Sequence, residues 1–383
     1  MDGATPRPSF NIGIEEEYQT VDPQTRDLRS HIHAEILEKG KLVLAERVKP
    51  EMHQSVVEVG TGICRNIAEA RDEIRHIRRN IITVAKENGL RIVGGGTHPF
   101  AEWRAQEIYP DERYRIIVED MKMVARANLI FGLHIHIGVE DRETAIQLMN
   151  GARYFLPHIL ALSTNSPFWL GMDTGFHSYR SKVFERFPRT NIPDLYRSWS
   201  EFEDYVKLLI HTRCIDNAKK IWWDIRPHPY FPTLEFRVCD MPMRLDETVA
   251  IAALCQAVIA KLYQLHERNL SFRHYSRALI MENKWRAARY GLDGKMIDFG
   301  KQAEAPVRDL IEEILQFVSD VVPALGSEAE MDYLRRLLQE GSGAQRQLRV
   351  FQETGDLKQV VDYMIQETES GVFDAAASGG QRQ

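Results

Sequence analysis

The sequence predicts an α+β fold, a largely antiparallel sheet with helices packed on its outer face. Three observations predict it. Five short segments alternate polar and apolar residues, longer segments between them repeat apolar residues at helical spacing, and the last two strand candidates are joined by a turn holding Pro227, Pro229 and Pro232. Strands that alternate and are separated by helices fit a sheet packed on one face and open on the other.

The first strand, residues 10–21, carries Ile14-Glu15-Glu16-Glu17-Tyr18-Gln19. In an extended chain Glu15 and Glu17 share one face and Glu16 takes the other. Like charges so close raise one another's pKa. The pair is therefore either part of a solvated acidic strand or one wall of a site for a hard divalent ion, Mg²⁺ or Mn²⁺. Residues 55–59 form the next strand and carry Glu58. Glu51 lies at an odd spacing from it, so both reach one site only if Glu51 sits in the approach to the strand or a bulge intervenes. The clearest helix is 67–88, with Ile67, Ala70, Ile74, Ile77, Ile81 and Val84 on one stripe and Gly89 as its stop. A short strand at 91–96 runs into Gly94-Gly95-Gly96-Thr97-His98-Pro99. Neither G-x-G-x-x-G nor a Walker A loop is present, which excludes those two nucleotide folds.

Helix 112–126 precedes a strand at 129–139, where His134 and His136 share one face and Ile135 and Ile137 the other. A lone core histidine is usually structural, whereas two on a polar face suit a metal or a phosphate. After helix 144–154 comes a stretch at 162–193 rich in Ser, Thr, Asn, Gly and Pro. It is either an exposed loop or, through Thr174, Ser178 and Arg180, a binding loop for a small carboxylate. Helix 201–212 leads to strands 222–226 and 233–239, the second presenting Glu235 and Arg237 together. Such a pair is a surface salt bridge, or else a cation ligand beside a guanidinium for phosphate. Helices at 245–265, 307–318, 331–339 and 357–367 complete the chain, and Asn283-Lys284-Trp285-Arg286 reads as a cationic helix face or a nucleotide contact.

Across 383 residues, 44% hydrophobic and 27% charged content is ordinary for a globular protein, and a net charge of -6 without a basic block gives no footing for nucleic acid. No uninterrupted apolar run approaches membrane-spanning length, and residues 1–9 lack the apolar core of a signal peptide. Four scattered cysteines form no C-x-x-C pair, so the expectation is a reduced, cytoplasmic protein. Without an internal linker, residues 9–370 are expected to form one domain, with 1–8 and 374–383 as disordered tails.

Taken together, GIEEEYQ at 13–19, GGGTHPF at 94–100, HIHIGV at 134–139, SPFWLGMDTGFHSYR at 166–180 and TLEFRVCDMP at 233–242 resemble the carboxylate-amine ligases of the glutamate-cysteine ligase type 2 family, YbdK subfamily. The resemblance runs in family order from about residue 9 to about residue 370. It implies a glutamine-synthetase-like catalytic fold that binds ATP, Mg²⁺ or Mn²⁺ and an amino acid. It also implies ATP-dependent amide formation through an acyl phosphate, weak glutamate-cysteine ligase activity, small carboxylate and amine substrates, and a homodimer as in many relatives. By the same resemblance Glu15, Glu17, Glu58, Glu235 and His136 hold metal, with Glu51 a weaker metal candidate placed on the substrate side. Arg237 and Glu58 become catalytic, and His136, Arg237, Arg226 and Lys284 contact nucleotide. Arg180, Ser178 and Thr174 bind substrate. A guanidino kinase of the same superfold and a metal-dependent amide hydrolase are the alternatives. Glu16, on the opposite face, is expected to tolerate Gln far better than Glu17 does.

Overall fold

A computed structural model describes residues 7–29 and 47–373. The tail expected at 1–8 lies outside the described residues except for Arg7 and Pro8, and that at 374–383 lies wholly outside them. The central sheet has seven strands, all paired antiparallel. They are β1 (Ile12–Val21), β2 (Val48–Pro50), β3 (Val56–Gly60), β4 (Arg91–Val93), β5 (Gly132–Gly138), β10 (Ile225–Pro227) and β11 (Thr233–Asp240), numbered with the short strands β6 (Phe168–Trp169), β7 (Met172–Asp173), β8 (Thr190–Asn191) and β9 (Trp222–Trp223). Their order is β10-β11-β5-β1-β3-β2, with β4 also on β1. The expected strand at 222–226 is in fact two. Asp224 separates β9, which pairs in parallel with β8, from β10, which joins the main sheet.

One face of the sheet is apolar. Ile12, Ile14, Leu133, Ile135, Ile137, Leu234 and Phe236 are all buried there, as the alternation predicts. Helix α1 (Ile67–Glu87) and helix α8 (Leu245–Glu267) pack against it. α1 begins on an Asn66 cap whose side chain accepts from Glu69 N, and its isoleucine stripe is buried as expected. α8 is long and apolar enough to cross a membrane by length and composition, beyond what the apolar runs suggest. Yet 83% of its most apolar window is buried inside the protein, as in a core helix. The helix expected at 112–126 is broken at Lys122 (φ 50°) into α2 (Glu112–Met121) and α3 (Met123–Arg126).

Glu16 is the exception on the apolar face, and it is fully buried. Arg78 of α1 donates Nε to Glu16 Oε2 at 3.0 Å and Nη2 to Oε1, Thr248 of α8 donates its hydroxyl to Oε1 at 2.7 Å, and Tyr18 donates to Oε2. The pair thus ties β1 to both covering helices. Glu16 thus lies on the face away from Glu15 and Glu17, as expected, but its burial in this pair gives Glu16→Gln a stability cost that the comparison with Glu17→Gln left out. Losing one charge of a buried pair leaves the other uncompensated, a cost of about 3–5 kcal/mol. Glu16→Gln should lower the urea midpoint accordingly, and a midpoint unchanged from the parent protein would show that the pair contributes nothing.

Candidate active site

The other face of the sheet carries the charged residues, and the register brings them side by side. Glu17 pairs with Glu58 and Glu58 with Lys49; Glu15 pairs with His134; Glu235 pairs with His136 on one side and Arg226 on the other. Directly opposed residues on one face lie within about 4.5–5.5 Å at Cβ, so this row becomes a polar floor. It opens into a cavity of about 490 Å³ whose lining includes Glu15, Glu17, Glu51, Glu58, Glu235, His134, Arg180, Arg226 and Arg237.

A bulge in β11, between Phe236 and Cys239, sets Arg237 in place. Bulges beside functional clefts re-aim a side chain, and here the guanidinium donates Nη1 to Glu235 while its buried Nε has no partner. The slip also puts Asp240 opposite Gly132, where it accepts from Ser178 and Ser166 hydroxyls at 2.7 and 2.6 Å and from Asn165 N at 2.8 Å. Gly132 lets the Arg180 guanidinium lie against the strand, and a side chain there would push it aside. A Cβ there would sit 2.3 Å from Arg180 Nη2, and the Gly132 N–H donates to Glu17.

Among the described residues, two groups place ligand atoms within 4.8 Å of one another: Glu15, His136 and Glu235, and Glu17, Glu51 and Glu58. The expected metal ligands Glu15, Glu17, Glu58, Glu235 and His136 thus fall into two clusters. Glu51 joins the second as a full member because it follows β2 and is outside β3, so strand alternation does not bind it.

The clusters differ in charge balance. In the first, burial opposes ionisation of Glu235, yet Arg226 and Arg237 outweigh it and hold the carboxyl well below the usual range. Burial likewise opposes Glu15, but the imidazoles of His134 and His136 beside it prevail and hold it well below the usual range. Burial and then Arg237 push His134 down to about 4, while Glu15 and Glu235 overcome burial to raise His136. In the second cluster burial and like charge act together. Glu58 is raised well above its ordinary value by burial, Glu15 and Glu51; Glu51 is raised by burial and Glu17; Glu17 rises to about 7 through burial and Glu58, against the pull of Arg180. Lys49 Nζ, 3.2 Å from both Glu15 Oε1 and Glu58 Oε1, is ion-paired with this trio through Glu58, and Arg180, Arg237 and Arg113 act on it from further off. Three hard oxygen donors short of positive charge suit Mg²⁺ or Mn²⁺. The first cluster fits less simply. Both oxygens of Glu235 are engaged by guanidinium groups, although the buried His136 Nε2, 3.7 Å from Glu15 Oε2, is unpartnered.

The charge imbalance has a pH consequence in divalent-free buffer. Below about 4.5 Glu17 is protonated whether folded or unfolded, and above about 7 it is ionised in both. Between these values the folded chain keeps a proton that the unfolded chain has released, so stability falls as pH rises through the window, by about 3 kcal/mol. Urea unfolding at pH 5 and pH 8 without divalent ions should show that loss, and Mg²⁺ should restore more stability at pH 8 than at pH 6. Equal stability across the window would contradict the assignment.

Four expected contacts lie elsewhere or are spent. Lys284 is off the cavity wall, buried with Nζ 2.6 Å from Asp224 Oδ2 and 2.8 Å from Asn191 Oδ1, where it pins β8 and the turn after β9. Ser178 caps helix α6 (Tyr179–Phe184) and donates to Asp240, and Thr174 donates to Pro167 O at 2.8 Å; both are engaged in organising the 162–193 segment. Arg226 does line the cavity, but its Nε and Nη2 go to Glu235 (2.7 and 3.3 Å) and its Nη1 to Lys219 O and Ile221 O, leaving it to position Glu235. Arg180 also lines the cavity; its Nη1 and Nη2 make long bonds to Val238 O (3.5 Å) and Arg237 O (3.4 Å), and its buried Nε is unpartnered. The cavity also holds Arg113, Asn128, Lys219, Lys220 and His228, none of which the sequence singled out because none lies on a strand face beside another candidate.

With this geometry in place, the comparisons are informative. The profile described as glutamate-cysteine ligase family 2 matches residues 11–363. A protein of Solibacter usitatus named "Putative glutamate--cysteine ligase 2" is 80% identical over 370 residues, covering 97% of this chain and 96% of that one. A protein of the same name from Herpetosiphon aurantiacus is 56% identical over 371 residues, again covering 97% and 96%. Among solved structures, the glutamate-cysteine ligase of Francisella tularensis in complex with AMP superposes with a TM-score of 0.68 at 13% identity, covering 94% of this chain and 89% of that chain. The bifunctional glutathione synthetase of Pasteurella multocida gives 0.70 at 13%, covering 95% of this chain and 53% of that one. At such identity these two establish the shared α+β, glutamine-synthetase-like fold.

Proposed function

The chain belongs to glutamate-cysteine ligase family 2, and from that membership we propose that it is an ATP-dependent carboxylate-amine ligase that forms an amide through an acyl phosphate. Weak ligation of glutamate to cysteine is part of this reading. The observation that carries it is the acid-only trio Glu17, Glu51 and Glu58 sharing one cavity with Arg180 and Arg237. Such a trio suits Mg²⁺, which when bound neutralises the β- and γ-phosphate charge of ATP. Glu15, His136 and Glu235 offer a second, partly compensated place for a cation.

No side-chain nucleophile is needed. A substrate carboxylate oxygen attacks the γ-phosphorus and ADP departs; the amine nitrogen then attacks the acyl carbon, the C–O bond to phosphate breaks, and phosphate leaves with the electron pair. Arg180 orients the carboxylate, and the free N–H of Arg237 meets phosphoryl oxygens as charge moves onto them. Arg226 holds Glu235 from behind. Four free cysteines fit a reducing, cytoplasmic setting.

The test is ADP release by purified protein with Mg²⁺ over a panel of carboxylates and amines, with mass detection of the product. An amide together with ADP and phosphate is expected. A stable N-phosphate would favour a guanidino kinase, amide cleavage without nucleotide a hydrolase, and no ADP with any pair would remove the ligase reading.

A further inference from the structure

The proline-rich turn that joins β10 to β11 repeats a turn found elsewhere in the chain. His98-Pro99-Phe100-Ala101 and His228-Pro229-Tyr230-Phe231 both begin with His, Pro and an aromatic residue. In the first, His98 Nδ1 accepts from Phe100 N at 3.3 Å and Ala101 N at 3.0 Å; in the second, His228 Nδ1 accepts from Tyr230 N at 3.2 Å and Phe231 N at 2.9 Å. A ring nitrogen that accepts carries no proton, so both imidazoles are neutral with the proton on Nε2. At His98 that proton is used inside the fold: Nε2 donates to Arg26 O at 2.8 Å, and a carbonyl can only accept.

At His228 it has no such use. The residue lines the cavity, and among the described residues nothing accepts from its Nε2. Glu235 has its oxygens engaged by Arg226 and Arg237. The ring is held in place by the two turn bonds and by stacking on Phe231, 4.4 Å between ring centres. It does not suit a cation beside His136, 5.4 Å away, because a metal on Nε2 would have to displace the ring's one proton.

The ligands of the proposed reaction offer three kinds of acceptor: phosphate oxygens, a substrate carboxylate, and the ribose and adenine of the nucleotide. Arg180, the group for a carboxylate, lies against Gly132 at the start of β5, whereas His228 lies beside His136, four residues on and roughly 13 Å away along the strand. A base would stack on the aromatic wall of Phe184, Phe187 and Trp222 sooner than on a ring already covered by Phe231. Around the turn the lining is cationic. Arg226 and Arg237 stand on the two strands it joins, and Lys219, without an ion pair among the described residues, places Nζ 4.7 Å from the Tyr230 ring centre. Those surroundings suit phosphate.

We infer that the Nε2–H of His228 is a fixed, uncharged donor to a phosphate oxygen of the nucleotide, held in that tautomer by the His-Pro turn. This rests on the ligase reading, which brings ATP to the cavity.

The experiment measures binding to the full chain with Mg²⁺ by calorimetry, using the β,γ-imido analogue of ATP, inorganic tripolyphosphate and L-glutamate as probes. In His228→Asn the amide oxygen replaces Nδ1 as the acceptor of the turn, and the distal N–H is gone. Affinity for both phosphate probes should fall about ten-fold, with that for glutamate unchanged. His98→Asn is the control and should leave all three affinities as they are. A second measurement needs no variant: in the NMR spectrum of the parent protein His228 should show a bare Nδ1 and a protonated Nε2 that shifts when tripolyphosphate is added. Unchanged phosphate affinity in His228→Asn, a loss confined to the imido analogue or to glutamate, an equal loss in His98→Asn, or an Nε2 resonance indifferent to tripolyphosphate overturns the donor role and leaves the ligase standing. A parent protein that binds neither phosphate probe overturns both.

Discussion

Replacing Glu17 by Gln should leave the chain folded, lower turnover by about 10³-fold, and at the same time stabilise the metal-free protein at pH 8. The first effect follows from charge. Glu17 faces Glu58 across β1 and β3 and shares a 4.8 Å cluster with Glu51 and Glu58, so on the proposed reading the amide removes one of three anionic donors and with it much of the hold on Mg-ATP. The second follows from the same geometry read without the cation. Burial and Glu58 raise Glu17 to about 7, so at pH 8 the folded protein holds an ionised group against its preference, and the neutral amide relieves it. Gln keeps an oxygen to accept the Gly132 N–H, so the strand contact survives. Activity and stability should therefore move in opposite directions, as they do where a site stores repulsion for function. ADP release titrated with Mg²⁺, set beside urea unfolding in chelator, reads both. Turnover within ten-fold of the parent, or a metal-free variant less stable than the parent at pH 8, would remove Glu17 from this role.

Period-two alternation made one face of the sheet legible, because the face of a strand residue is a local property. Glu15 with Glu17, His134 with His136, and Glu235 beside Arg237 all fall where alternation puts them. Which carboxylates meet is not local. It depends on registers such as Glu17 with Glu58 and Glu235 with His136, set by pairing between segments scores of residues apart. Glu51 stays conditional in the sequence because alternation stops at the end of a strand, and its place in the approach to β3 is what brings it to Glu58. Glu16 was placed on the correct face, but nothing nearby in sequence announces Arg78 as its partner 62 residues on. Helix α5 (Leu156–Ser163) escaped notice for a different reason: every residue in it is buried, so it has no polar stripe to betray a period. The loop residues Ser178 and Thr174 show a limit of composition, because hydroxyls that cap helices and close turns look the same in sequence as hydroxyls that bind ligands.

Arg237→Lys should lower kcat by about 10²–10³-fold with a much smaller change in KM for ATP. A lysine at this position keeps the charge and loses the fork. The bulge in β11 leaves Arg237 on the cavity wall with one arm on Glu235 and a buried, unpartnered Nε, so a single rigid group both holds the carboxylate and keeps hydrogen-bonding capacity unspent beside the cavity. An ammonium at the end of a flexible stem can do either task, not both in fixed geometry. Charge that develops on a transferring phosphoryl group is met only by donors already in place, which puts the loss in kcat. Arg226→Lys is the informative contrast. Arg226 spends every nitrogen on Glu235 and on two backbone carbonyls, so its replacement should reduce stability more than it reduces kcat, through a buried ion pair left badly matched. If Arg226→Lys struck kcat harder than Arg237→Lys, the free N–H of Arg237 would not be the group that meets the phosphate, and the charge-bearing role would pass to the residue behind Glu235.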